Sequence, residues 1–150
     1  MTSSYPRATV GALAVSDDNL ILLIRSHKWR DTWCVPGGKI DYGETIVAAL
    51  KREFIEETGL KLAEVYLAPT LEAVNSPEFH KPAHFILLNF IARVRGAASD
   101  IPVTLNDEAQ THAWLTVDEA LEYDLNSFTR WLVTFYRDHQ HELVPVTVSA

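Results

Sequence analysis

Apolar positions along the chain follow two spacings, and the switches between them mark its elements. Residues 9–15 and 20–25 are short apolar runs joined by Ser16, Asp17, Asp18 and Asn19, whose side chains suit a turn, so they predict two strands. The second run, LILLI, is apolar throughout, the pattern of a strand buried on both faces, and Arg25 closes it. Residues 27–31 are polar and predict a loop. Over 45–58 the spacing becomes helical, with Val47, Leu50 and Phe54 on one side, Thr45 placed to cap the start and Gly59 to end it. Two β-rich runs follow, 61–74 and 83–94, separated by a loop over 75–82 that contains two prolines and could border a pocket. The segment HFILLNFIARV reads as a central strand. After a loop over 96–106, residues 111–115 predict a short strand and 116–122 a short helix, which Thr116 and Glu119 open as a capping box. Residues 126–138 predict an amphipathic helix whose Phe128, Trp131, Leu132, Phe135 and Tyr136 belong to the core. The tail from His139 is peripheral, with LVPVTV able to add an edge strand or to meet a second copy of the chain in a homodimer.

This order of elements predicts an α/β fold, a mixed β-sheet covered by helices on both faces. A chain of 150 residues with 47% apolar content fits one domain over 1–150, long enough to bury a normal core. The net charge of −7 opposes a nucleic-acid surface driven by phosphate attraction, but leaves room for a small nucleotide, because bound cations can invert the local charge. Cys34 is the single cysteine and lies between Trp33 and Val35; it reads as a buried structural thiol and fits a reducing compartment. No apolar run reaches the ~18–20 residues that span a bilayer, and the N-terminus lacks the layout of a signal peptide. These features predict a soluble, cytoplasmic protein with no membrane partner.

The helix over 45–58 carries an unfavourable charge pattern. At about 100° per residue, Glu53, Glu56 and Glu57 fall within roughly a 100° arc beside the apolar side, at the rim of a core. Like charges at this spacing cost about 0.2–0.5 kcal/mol per pair, and carboxylates in a last helical turn about 0.3–1 kcal/mol each. No Lys or Arg follows within the helix to compensate them. A divalent cation would remove these penalties together, and hard oxygen ligands suit Mg²⁺ or Mn²⁺. Glu53, Glu56 and Glu57 are therefore assigned as metal ligands. Arg52 is placed to orient them, its fork being better matched to carboxylates than a lysine. Just upstream, Pro36 removes an N–H, and Gly37 and Gly38 permit positive φ, so the backbone there can approach a ligand closely.

The spacing is specific. Gly38, five residues, Glu44, seven residues, then Arg52-Glu53-Phe54-Ile55-Glu56-Glu57-Thr58-Gly59-Leu60 matches the Nudix box at every fixed position, a coincidence of less than about once in 10⁸ placements at background frequencies. The chain resembles a Nudix hydrolase. That resemblance implies an α/β/α sandwich with the box as a loop-helix-loop at its active edge. It implies that a backbone carbonyl of Gly37 or Gly38 joins the metal shell, while Glu44, outside the regular helix, supports or completes it. It also implies a further acid from a loop before a strand bearing a tryptophan. Here Asp107 and Glu108 precede Trp114; Glu108 has the longer reach and is preferred as ligand or general base, with Glu57 its rival as base.

The reaction implied is hydrolysis of a nucleoside diphosphate linked to another moiety, with an ADP-ribose-like compound or a sugar nucleotide preferred. A proline downstream of the box accompanies ADP-ribose activity in part of the family, and Pro77 stands loosely in that place. The segment before Trp114 also looks like the branch that cleaves nucleoside triphosphates to sanitise the nucleotide pool. A non-catalytic nucleotide-sensing domain, a Nudix-fold isomerase and a simple cation-binding protein are the remaining readings. The complete box opposes the first two, and Arg52 with the Pro-Gly-Gly entry opposes the third.

Overall fold

The computed structural model describes residues 5–147. Its centre is a parallel pair, β1 (Arg7–Val15) with a strand more than seventy positions later, His84–Arg93, in register from Arg7↔Phe85 to Val15↔Arg93. The other pairings of the eight-stranded sheet are antiparallel, so the sheet is mixed. On the free edge of β1, β2 (Ile21–Ser26) meets it only at Val15↔Ile21, and the two strands then separate. The wedge between them is filled by one segment: β3 (Thr32–Cys34) pairs with β2, and β4 (Gly37–Lys39) pairs with β1. Helix α1 (Ile46–Thr58) follows, and then β5 (Glu64–Leu67) and β6 (Leu71–Val74), both on the far edge of the long strand, here β7 (His84–Arg93). Finally β8 (Thr111–Leu115) adds to the outer edge of β2, and α2 (Val117–Leu121) and α3 (Ser127–His139) close the chain.

Strand alternation sorts the core into two layers, because successive side chains leave opposite faces. Val10, Ala12 and Ala14 of β1 join Leu22, Phe90 and Ala92 under Ala49, Leu50 and Phe54 of α1. Leu13 and Val15 join Ile21, Leu23 and Ile91 under Ala120 of α2 and Leu132, Val133 and Tyr136 of α3. The result is the expected α/β/α sandwich, with β1, β2 and β7 buried on both faces. Full burial of a side chain such as Leu50 or Phe54 stabilises by about 1.5–3 kcal/mol. The expected caps are in place. Thr45 Oγ1 accepts from Ala48 N at 3.2 Å, Gly59 closes α1 at φ 74°, and Thr116 with Glu119 forms the reciprocal box at α2.

Several expectations are corrected by the structure. The run 61–74 is two strands, broken at 68–70, where Pro69 has no N–H for the ladder and its carbonyl instead accepts from Asn89 Nδ2 at 3.2 Å. The loop 27–31 holds a 3-10 turn, His27–Trp29, capped by Ser26. Trp131, expected in the core, is 41% exposed and stacks on Phe135 at 5.8 Å with nearly parallel rings; the buried stripe of α3 runs instead through Thr129, Leu132, Val133 and Tyr136. The tail lies along β5, with Val144 O accepting from Leu67 N and Val146 N donating to Val65 O at 2.8 and 2.9 Å. Val148 of LVPVTV is outside the described residues. Among those described, no helix is long and apolar enough to cross a membrane.

These two neighbouring positions on α3 should behave differently. Leu132→Ala should lower unfolding free energy by about 2–5 kcal/mol, and Trp131→Gln by about 1 kcal/mol or less. Urea titration of both variants checks the assignment of the buried face.

Candidate active site

Helix α1 buries residues at 49–50, 53–54 and 57–58, pairs repeating every four positions. At about 100° per residue this stripe is centred close to Glu57, with Glu53 well inside it and Glu56 just beyond its edge. The acidic arc read from the sequence therefore does not sit beside the core stripe as a unit. Glu53 and Glu57 are inside, 9% and 3% exposed, while Glu56 is exposed.

The wall they meet is β4. A Cβ added to Gly38 would lie 2.4 Å from the Glu53 carboxyl carbon, and one on Gly37 only 2.1 Å from the Val10 carbonyl oxygen. The glycine pair is thus required for space. Neither residue has positive φ, which corrects the expectation that left-handed freedom is what they provide. With no side chain in the way, Gly37 N–H donates to Glu57 Oε2 at 3.1 Å.

Across the cavity comes a third carboxylate. Glu108, half-exposed in the loop before β8, brings an oxygen within 4.8 Å of oxygens on Glu53 and Glu57. Asp107, its neighbour, is exposed and belongs to no such group among the described residues. Lys28 Nζ, from the 3-10 turn, sits 2.7 Å from Glu108 Oε1. Three oxygens converging from two elements, with one glycine N–H and one lysine as cationic company, form a donor set fitted to a hard divalent cation.

Arg52 ties the loop of the box to the helix. Its Nε and Nη2 donate to the two oxygens of Glu44 at 2.7 and 2.8 Å, its Nη1 to Glu53 and Glu56 at 3.0 and 3.2 Å, and its Nη2 also to Lys39 O at 2.9 Å. Glu44 in turn accepts from Asp41 N, so it stands outside the three-carboxylate group and braces the loop. Hydrogen bonds from Arg52 hold the Glu44 carboxyl down at about 2. Burial does the opposite to Glu53 and Glu57, pushing both above the ordinary 4.5; the neighbouring Glu108 raises Glu57 further. Glu108 is held low, first by its contact with Glu57 and then by Lys28. Burial also pushes the Cys34 thiol far up, an inert group as expected.

The cluster borders a cavity of about 350 Å³. Trp29, Phe79, Phe85 and Phe128 wall it, with Trp29 and Phe79 edge to face at 4.8 Å and Phe79 and Phe85 at 4.9 Å. The loop over 75–82 supplies Phe79 and is held down by Arg30 Nε to Pro77 O at 2.7 Å, His80 N to Lys28 O at 2.8 Å, and Ser127 N to Glu78 Oε2 at 2.7 Å. Phe79 belongs to the 75–82 loop, which borders the cavity as expected, whereas Lys28, Asn126 and Phe128 carried no site signal in the sequence. Lys28 acts on a partner 80 residues away, Asn126 read as the start of the last helix and Phe128 as core.

Residues 5–137 match the family of the NUDIX domain. The nucleoside triphosphatase NudI of Klebsiella pneumoniae is 31% identical over 103 residues, 65% of this chain and 71% of that protein. The MutT protein of Methanosarcina mazei Go1 superposes with a TM-score of 0.74 at 21% identity, covering 94% of this chain and 100% of that one. The NUDIX domain of Shewanella oneidensis NrtR, complexed with ADP ribose, does so with 0.75 at 18% identity, covering 92% and 90%.

A buried carboxyl whose folded pKa lies above its unfolded value costs stability as pH rises from the unfolded pKa toward the folded one. Without divalent cations, Glu57→Gln should therefore melt several degrees above wild type at pH 8, and the gap should close as pH falls toward 4.5. Added Mg²⁺ should raise the melting temperature of wild type and do much less for the variant. Thermal melts across pH, with chelator and with Mg²⁺, read both effects.

Proposed function

We propose that this chain, which belongs to the NUDIX family of hydrolases, cleaves the phosphoanhydride of a nucleoside diphosphate linked to another moiety, with Mg²⁺ or Mn²⁺ as its cation. The observation that carries the reading is the convergence of Glu53, Glu57 and Glu108 at the edge of an aromatic-walled cavity. A nucleoside fits the cavity, and its phosphates reach the carboxylates. Bound there, a divalent cation neutralises phosphate charge and makes an attacking water more acidic.

The residues of the chain divide the remaining work. Glu53 and Glu57 hold the cation, with Glu56 and a carbonyl of Gly37 or Gly38 as further candidates from the box. Arg52 keeps Glu53 turned inward and Glu44 braces the loop. Glu108, ionised and on the solvent side of the cluster, takes the proton of the attacking water on a carboxylate oxygen. Lys28, beside it, offers positive charge to the phosphate oxygens. The single buried thiol and the nucleotide substrate fit work in the cytoplasm.

An ADP-ribose-like compound or a sugar nucleotide is the preferred substrate, supported by the likeness to a domain that holds ADP ribose. The second reading is a nucleoside triphosphate pyrophosphohydrolase, supported by the name of the 31% identical relative. A panel of ADP-ribose, sugar nucleotides, dinucleoside polyphosphates and triphosphates separates them. Turnover should vanish with chelator; full activity without divalent cation, or turnover of non-nucleotide phosphates alone, would sink the proposal. Glu108→Gln should lower kcat by about 100-fold or more with KM nearly unchanged, the deficit shrinking at high pH as hydroxide replaces the base. Asp107→Asn should behave as wild type.

A further inference from the structure

The mouth of the cavity carries more positive charge than its acids use. Phe85, Leu87 and Asn89 of β7 line the cavity, and opposite them in the parallel pair stand Arg7, Thr9 and Gly11 of β1. Residues paired across two strands leave the sheet on the same side, so Arg7 projects on the cavity side, at its outer end beside Phe85. Lys39 of β4 pairs with Thr9 and lines the cavity, and Lys28 lines it from the 3-10 turn. Lys81 belongs to the loop over 75–82 and follows His80, whose N–H donates to Lys28 O at 2.8 Å. The Lys39 ammonium is repelled by Arg7 first, then by Lys81 and Lys28, so these cations form one group. The acids that line the cavity already have partners. Arg52 serves Asp41 and Glu53 at 3.5 and 3.0 Å, and Lys28 serves Glu108 at 2.7 Å. Among the described residues, Arg7, Lys39 and Lys81 form no ion pair and no side-chain hydrogen bond. Three like charges stand together unmatched in a chain whose net charge is −7.

We infer that Arg7, Lys39 and Lys81 form a second anion subsite, which holds a phosphate group of the substrate other than the diphosphate that is cleaved. The inference rests on the hydrolase reading for the place of the diphosphate, and adds that the moiety beyond it is itself phosphorylated. The cleaved group does not call for these cations. A diphosphate diester carries two negative charges, which one divalent cation on the carboxylate cluster balances, with Lys28 beside it. The surplus therefore answers a further dianion, either the next phosphate of a chain or a phosphate ester on a sugar. Ammonium and guanidinium groups match both, because each presents phosphate oxygens to charged donors. A neutral sugar at the same place would leave the three cations unmatched.

Calorimetric titration in chelator isolates this subsite, since without a divalent cation the carboxylates repel phosphate and the probes are not consumed. Two pairs of probes differ by one phosphate each: ADP and ATP for the chain, ADP-ribose and ADP-ribose phosphorylated on its distal ribose for the ester. In at least one pair the member with the added phosphate should bind tenfold or more tightly at low salt, and that pair names the source. Arg7 and Lys81 are exposed, so Arg7→Gln and Lys81→Gln should melt with wild type. Each should cut the advantage about threefold to tenfold, whereas Arg7→Lys and Lys81→Arg should keep most of it. Raising NaCl from about 50 to 300 mM should erode it too. Equal binding within both pairs, or an advantage that survives Arg7→Gln and Lys81→Gln together, overturns the subsite. If the advantage holds while the substrate panel shows no turnover with a divalent cation, the hydrolase reading fails and the subsite stands. If turnover holds without the advantage, the reverse is true.

Discussion

The site depends on two carboxylates buried where α1 lies on β4. An ionised acid moved out of water costs several kcal/mol unless it is paired, and here Glu57 sits near the centre of the buried face of its helix. What makes room for it is the absence of side chains on β4. Gly38 leaves space for the Glu53 carboxylate, and Gly37 lets β4 approach β1 closely enough for its own N–H to reach Glu57. The splay between β1 and β2, with one short segment filling the wedge, is what brings β4 under the helix at all.

Charge compensation is then deliberately incomplete. Arg52, itself only about a quarter exposed, serves Glu44, Glu53 and Glu56, but no hydrogen bond from it reaches Glu57. Lys28 serves Glu108. Surface pairs of this kind contribute about 0–1 kcal/mol, too little to offset the burial of Glu57. The residual electrostatic cost is carried by the fold, and a divalent cation, of the kind hydrolases of this family generally use, would relieve it. Stability and affinity for a divalent cation are in that sense two readings of one cluster.

How much of this was legible in the sequence follows from how local each feature is. Thr45, Gly59, Thr116 and Glu119 act within a turn of the chain, and their roles were readable at sight. The box carries Arg52 and its partners because their spacing is a helical one. Which of three neighbouring glutamates turns inward depends on the rotation of α1 on the sheet. Hydrophobic residues alone left that rotation open by the angle separating Glu56 from Glu57, since Val47 proved only partly buried. Glu108 was placed through family resemblance, whereas Lys28 needed the fold, because nothing local marks a pair 80 residues apart. Trp131 misled because helical spacing states that a stripe exists without stating how wide the covering layer is.

The same locality explains why the box is silent about the substrate. Its side chains form the buried carboxylates and the Arg52 brace, and they are set by α1, β4 and the loop that Arg52 holds. The cavity is assembled from the 3-10 turn, the 75–82 loop, the middle of β7 and the start of α3, segments held together by Arg30, His80 and Glu78 rather than by the box. Phe79, Asn89 and Asn126 line the cavity and belong to no part of the carboxylate cluster. The box and its entry border this cavity through Gly37, Gly38, Lys39, Asp41 and Glu53, whereas the opposite wall comes from other segments, so recognition can vary among proteins of this fold while the chemistry stays constant.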